Sequence, residues 1–242
     1  MKTRHLATLQ FESTDNYDNN LTTLIELIEQ TPDNAIVLAP EVCLTNFDYA
    51  HFEAASAFSA KAIDQLLRLS KERIIALSVI EKRENGKFYN VAKVLHGEKV
   101  VHQQCKNRLF KLGDEHKYFS QGKDEHLSLF TIEGITFGLM ICFELRFKQF
   151  WQKLEGADIM LIPAQWGKLR SQNFVSLTNA LAIMNQCYVV ASDADNSDTS
   201  GMSGIITPFG EERRNGALVC LEGNFSEKEV RKMRRYLDVG IA

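Results

Sequence analysis

Prolines are scarce, four in 242 residues, and no glycine- and serine-rich stretch divides the chain. Nothing in the composition marks a linker, so a single domain over 1–242 is expected. Long apolar runs are missing too: no window of about 18 residues could span a bilayer. The opening MKTRHLATLQF carries charges where a signal peptide has its apolar core, which points to a soluble, cytoplasmic protein with no membrane partner. Neither sign of charge dominates, with 28 Lys and Arg against 31 Asp and Glu and a net charge of −3. No global field would draw such a chain onto a polyanion, so nucleic acid is not an expected partner. The five cysteines, Cys43, Cys105, Cys142, Cys187 and Cys220, are odd in number and far apart, and free thiols are expected rather than bridges. Without a CxxC pair or an HExxH spacing, no metal site is expected. The segment DADNSD (193–198) begins like a calcium loop, but the twelfth position is Gly204 where such a loop needs Glu. It reads as a mobile acidic loop.

What is present is a large apolar share, 45% of residues, enough to bury roughly 70–75% of the unfolded surface. It falls into short β-rich runs that alternate with helical periodicity. Strands are predicted over 5–11, 35–39, 74–80, 87–95, 99–105, 127–132, 135–141, 158–162, 187–192, 202–207 and 217–222. The pairs flanking HGEK and Glu133-Gly134 read as hairpins. Helices are predicted over 19–30, 60–73, 145–155 and 172–186, and Ser226 with Glu229 has the capping-box spacing of a last one. Strand–helix–strand units imply parallel pairing with helices on the sheet faces, and the hairpins add antiparallel neighbours. The fold class is therefore α/β, a sandwich of mixed sheets with outer helices.

Three reactive side chains stand where predicted strands end: Glu41 after IVLA and Pro40, Lys106 after 99–105, and Cys142 after ITFGLMI. Ligands of α/β sheets bind outside the carboxyl ends of strands, where side chains are rigidly held yet reach a cleft. The chemistry suits the trio. A thiol is only slightly ionised near pH 7, so a nucleophilic Cys142 needs a base, which Glu41 could supply. Lys106 could stabilise the oxygen charge of a tetrahedral intermediate. The bland alternative is a Glu–Lys ion pair beside an inert thiol.

The segments LAPEVCLTNF (38–47), QCKNRLFKLGDEHKYFSQG (104–122), GLMICFELRF (138–147), GADIMLIPAQW (156–166) and GMSGIITPFG (201–210) resemble, in order and spacing, the successive signatures of the nitrilase superfamily of carbon–nitrogen hydrolases. The resemblance implies a four-layer α-β-β-α sandwich with two mixed central sheets, dimerising through its outer helices. It also implies a Cys-Glu-Lys triad, no cofactor and a small-molecule amide substrate. By position, Cys142 is the nucleophile, Glu41 the general base and Lys106 the stabiliser of the tetrahedral intermediate. Glu115 matches a second acidic residue that positions substrate, and the Phe143 N–H would join the oxyanion site. Glu144 and Arg146 match an acidic and an arginine position and are expected to form a structural ion pair. Trp166, Phe47 and Tyr118 are read as aromatic walls of the pocket or, equally, as core packing. Arg170 and Lys168 follow PAQWG and are candidate partners of a substrate carboxylate.

The chain departs from the superfamily pattern at ALAIMN (180–185), where Leu181 and Met184 replace an arginine and a glutamate. The stretch 171–192 has no charged residue, so its helix is expected to be buried by another layer or a second subunit, giving a homodimer or higher homo-oligomer. The function implied is hydrolysis of a primary amide to carboxylate and ammonia through a cysteine thioester, most like the ω-amidase branch. Two rivals stand beside it: a Cys-His hydrolase pairing Cys142 with His116 or His126, and a catalytically silent nitrilase-like scaffold subunit.

Overall fold

The strand signals resolve into two six-stranded sheets in a computed structural model that describes residues 2–214 and 219–241. The first sheet holds β1 (Thr3–Leu9), β2 (Ala35–Leu38), β3 (Ile74–Lys82), β4 (Phe88–His96), β5 (Lys99–Cys105) and, from the far end of the chain, β12 (Cys220–Ser226). Its order is β12-β1-β2-β3-β4-β5. The second holds β6 (Phe130–Ile132), β7 (Ile135–Leu139), β8 (Ile159–Ala164), β9 (Tyr188–Asp193), β10 (Gly204–Ile206) and β11 (Glu212–Arg214). Its order is β11-β10-β9-β8-β7-β6. In each sheet three consecutive strands, β1-β2-β3 and β7-β8-β9, run parallel, and the remaining neighbours are antiparallel.

Parallel neighbours need crossovers, and helices supply them. Two of these, α1 (Tyr17–Glu29) and α2 (Phe52–Leu69), serve the first sheet, while α4 (Lys148–Lys153) and α5 (Ser171–Met184) serve the second. The short α3 (Glu115–Tyr118) lies in the long loop after β5, and α6 (Glu227–Tyr236) follows β12. Period-two alternation sorts the side chains of β2. Ile36 and Leu38 pack with Phe137, Leu139 and Leu161 of the opposite sheet, whereas Ala35 and Val37 pack with Leu24, Ile28, Ile63 and Leu66 of α1 and α2. Each such aliphatic side chain, fully buried, contributes about 1.5–3 kcal/mol. Two buried hydroxyls cross between the sheets: Thr8 Oγ1 donates to the Ala191 carbonyl at 2.8 Å and Ser192 Oγ to the Leu9 carbonyl at 2.6 Å. The result is the four-layer α-β-β-α sandwich.

Both expected hairpins form, β4–β5 and β6–β7. Other elements differ from expectation. The helix expected over 60–73 begins at Phe52, because Phe52, Ala55 and Ser59 continue its buried stripe, the last two with side chains too small or too polar to mark it in the sequence. The helix expected over 145–155 is split into a 3-10 turn, Cys142–Arg146, and α4. Ser226 does occupy the N-cap of α6, but its side chain makes no capping bond and Glu229 accepts from the Tyr188 hydroxyl instead. Ser226 is also the last ladder residue of β12, paired with Thr3, which fixes it in extended geometry. Of the strand expected over 217–222, Ala217 and Leu218 lie outside the described residues. The acidic segment 193–198 is tied in rather than loose: Asp193 is fully buried, and Asn196 donates to the Ser13 carbonyl at 2.8 Å. The neutral helix α5 buries Phe174, Thr178, Leu181 and Ala182, leaving Ile183 and Met184 exposed.

Candidate active site

Each of the three strand ends is shaped by its local backbone. Past β2, the Glu41 N–H reaches across to the Ala164 carbonyl of the second sheet at 3.3 Å. The next residue, Val42, has φ of 42°, a costly left-handed conformation for a β-branched side chain. Its N–H donates to Ser78 Oγ at 2.9 Å, which helps to hold the turn. Lys106 prolongs β5, its N–H donating to the Asn90 carbonyl at 2.8 Å. Past β7, Cys142 has φ of 49° and opens the 3-10 turn. Such strained residues persist where their surroundings over-determine them, and they gather at functional sites.

These ends converge. Lys106 Nζ lies 2.6 Å from Glu41 Oε1 and 2.7 Å from Glu115 Oε1, with its side chain wholly excluded from solvent at 0% exposure. Burial opposes its charge, but the two carboxylates prevail and raise its pKa. Asn90 Nδ2 donates to Glu41 Oε1 at 2.8 Å, and the Gln165 N–H to Glu41 Oε2 at 3.2 Å. Glu115, the first residue of α3, also accepts from the Phe110 N–H at 3.0 Å. Burial raises its pKa despite the ammonium beside it. The Cys142 thiol is buried, and its Sγ lies 3.7 Å from the Gln165 carbonyl. Burial first, then the negative charge of Glu41, push the thiol well above its ordinary pKa, with Lys106 pulling the other way.

Cys142 and Glu115 open onto a cavity of about 240 Å³. Phe47, Phe143 and Trp166 line it, together with Tyr49 and Phe110. Tyr118 does not line it. Its ring stacks behind Tyr49 with centroids 4.2 Å apart and faces solvent. Trp166 divides its roles, lining the cavity while packing on Phe174. Arg146 and Arg170 both reach the cavity, the first 4.9 Å above the Trp166 ring and the second 5.2 Å from that of Phe110. Lys168 is not among the lining residues. The ion pair expected between Glu144 and Arg146 does not form, because Glu144 turns inward to backbone N–H groups while Arg146 turns outward to Asn173 Oδ1 at 3.0 Å. His116 and His126 are exposed and absent from the cavity lining, so neither provides the Cys142 partner that a Cys-His hydrolase needs.

Asn90 and Gln165 were missed in the sequence. Gln165 lies within PAQW, where a polar residue between a strand and an aromatic could have been flagged. Asn90 stands inside a predicted strand and gives no sequence signal.

Fold and site together define a nitrilase-like protein. A profile of the Carbon-nitrogen hydrolase family matches residues 5–211, and the chain belongs to that family. It is 31% identical over 222 residues to a 2-oxoglutaramate amidase of Bacillus subtilis, covering 85% of each chain. To a deaminated glutathione amidase of Escherichia coli O157:H7 it is 28% identical over 251 residues, covering 97% of this chain and 95% of that protein. Its fold superposes on Saccharomyces cerevisiae Nit3, a member of branch 10 of the nitrilase superfamily, with a TM-score of 0.87 at 19% identity, covering 99% and 96% of the two chains. Among the described residues no helix is long and apolar enough to cross a membrane.

Proposed function

We propose that this carbon–nitrogen hydrolase converts the primary amide of a small carboxylate-bearing molecule to a carboxylate and ammonia, through a thioester on Cys142. The observation that carries the reading is the buried row Glu41–Lys106–Glu115 beside a thiol that opens onto the cavity. Glu41 takes the thiol proton as Sγ attacks the amide carbon. Lys106 and the Phe143 N–H, which lies in the first turn of the 3-10 segment, where N–H groups lack intrahelical partners, hold the resulting oxyanion. Glu41 returns the proton to the departing nitrogen and ammonia leaves. Glu41 then activates a water that cleaves the thioester, restoring the thiol and releasing the acid, so that one hard step becomes two easier ones. Glu115 orients the ammonium and the incoming amide.

A carboxylate on the substrate suits the wall where Arg146 and Arg170 face the cavity, since among the described residues neither forms an ion pair with a carboxylate. The relatives named 2-oxoglutaramate amidase and deaminated glutathione amidase agree with an anionic amide substrate. The same proposal takes residues 1–242 as one unit, since residues of both sheets share a core. It adds a homodimer formed through the outer helices, where α5 exposes Ile183 and Met184, and a reducing cytoplasmic setting in which all five thiols stay free. Ammonia release from a panel of ω-amides, N-carbamoyl compounds and nitriles, with Cys142→Ala as control, tests the chemistry. Release from ω-amides that is lost in the control is the expected outcome. Activity surviving in Cys142→Ala, or a wild type silent on every amide and forming no covalent adduct by intact mass, refutes it.

A further inference from the structure

Glu144 takes no part in these steps, yet its side chain is fully buried. One carboxylate oxygen accepts from the N–H of Asn107, the residue after Lys106, and the other accepts from the N–H of Ile141, the residue before Cys142, at 2.7 Å. Those two segments continue β5 of the first sheet and β7 of the second, so one side chain spans the joint between sheets. We propose that Glu144 is a positioning residue, a clamp that fixes the distance and angle between the Lys106 ammonium and the Cys142 sulfur. It acts through the backbone, since it is the N–H groups of Asn107 and Ile141 that bond to it.

The choice of residue supports a geometric role. Burial pushes the Glu144 carboxyl up to about 7, and among the described residues no cation forms an ion pair with it: Arg146 faces Asn173, and Lys106 and Arg108 act on it only at a distance. A buried carboxylate without a counter-ion is costly. What it provides here, and a hydrocarbon could not, is two acceptor oxygens aimed at two N–H donors on different segments. A second tie, Gln104 Nε2 to the Leu139 carbonyl at 3.0 Å, joins the same strands further from the site. It holds the strands together without reaching the residues that bear the ammonium and the sulfur.

The inference rests on Cys142 being the nucleophile, and its test is separable from that reading. Glu144→Gln keeps the shape but sets an NH2 against an N–H donor, and Glu144→Asp is too short to reach both segments. Two quantities are measured: kcat and KM on whichever amide releases ammonia, and the rate at which iodoacetamide alkylates Cys142 at pH 7, followed by intact mass. We expect kcat to fall about ten- to a hundredfold in both variants, KM to stay within about threefold, and alkylation to slow at least about fivefold. Ile28→Ala, which weakens the packing of α1 far from the site, should leave both rates at wild-type values wherever it remains folded. Folded Glu144 variants within about twofold of wild type overturn the clamp, as does an equal loss in Ile28→Ala. Failure of both Glu144 variants to fold also counts against it, since the residue then supports the fold and not the site. A wild type that releases no ammonia leaves the alkylation arm decisive and brings down only the amidase reading.

Discussion

Replacing Lys106 by Met removes a positive charge from beside two buried carboxylates. The aliphatic stem is kept, so the change is electrostatic. In the native site the ammonium is 2.6 Å from Glu41 and 2.7 Å from Glu115, with side-chain exposures of 0%, 1% and 6% for Lys106, Glu41 and Glu115. Removing one partner of a buried pair costs about 3–5 kcal/mol because the remaining charge is left uncompensated. Here two carboxylates lose the same partner, which places the cost at the upper end, a large part of the ~5–15 kcal/mol that holds a typical domain together. The variant can recover some of it by binding a proton between Glu41 and Glu115. That raises a folded-state carboxyl pKa above its unfolded value, so the folded variant binds more protons than the unfolded chain in the window between them. Stability contributed by such a group is complete below the unfolded value, about 4.3 for Glu, and is lost as pH rises through the folded one. Urea unfolding of Lys106→Met and wild type at pH 5 and pH 8 measures both parts. We expect a deficit of about 4–5 kcal/mol at pH 8 that shrinks by at least ~1 kcal/mol at pH 5. A deficit under ~1 kcal/mol, or one independent of pH, would refute the electrostatic account.

Asn90→Ala removes a donor to Glu41 Oε1 and should lower kcat about tenfold, the loss of roughly one hydrogen bond to a charged group, with KM nearly unchanged in steady-state assays. Gly122→Ala would set a Cβ 2.3 Å from Asn107 Oδ1 and 2.8 Å from Cys105 Cβ, forcing the strand end at Lys106 to shift. A loss of ~1–3 kcal/mol in urea unfolding is expected. Burial raises Asp193 to about 6, against hydrogen bonds from Ser200 and the Trp166 N–H that favour its charge. Its stabilising share is therefore present below about 4 and lost as pH rises towards about 6, so the stability of wild type minus Asp193→Asn should fall by about 2–3 kcal/mol between pH 4 and 7; a flat difference would refute it.

Much of this was legible before any coordinates. Strand-end placement of Glu41, Lys106 and Cys142 follows from apolar runs that stop abruptly, and a residue that ends a run must leave the sheet where ligands bind. The partners of these residues were not legible, because hydrogen bonding joins segments far apart in sequence. Asn90 supports Glu41 from across 49 positions, and nothing near either residue announces the pair. Glu144 illustrates the opposite failure. Its neighbour two residues on, Arg146, made an ion pair the obvious local reading, yet in a 3-10 turn of five residues the two side chains diverge, one to backbone donors inside and the other to the cavity rim. Tyr118 and Tyr49 show the same limit, since sequence cannot tell which of two stacked rings faces the cavity.

The resting charge of the site also determines which step limits reactivity. Cysteine enzymes that store a thiolate lower the thiol pKa with a cation or a helix end. Here burial and the Glu41 charge raise it, and Lys106, which pulls the other way, has two carboxylates within 2.6 and 2.7 Å. The Cys142 sulfur is therefore held as a thiol and becomes a thiolate only when a base accepts its proton. It follows that modification of Cys142 by a neutral reagent that does not mimic an amide should be slower at pH 7 than that of a free cysteine, and should climb with pH past 9 without levelling off. Methyl methanethiosulfonate, followed by intact mass, distinguishes the cases: a rate that reaches its plateau below pH 7 would mean a stored thiolate, and Lys106 would then have to serve the sulfur more than the carboxylates that hold it.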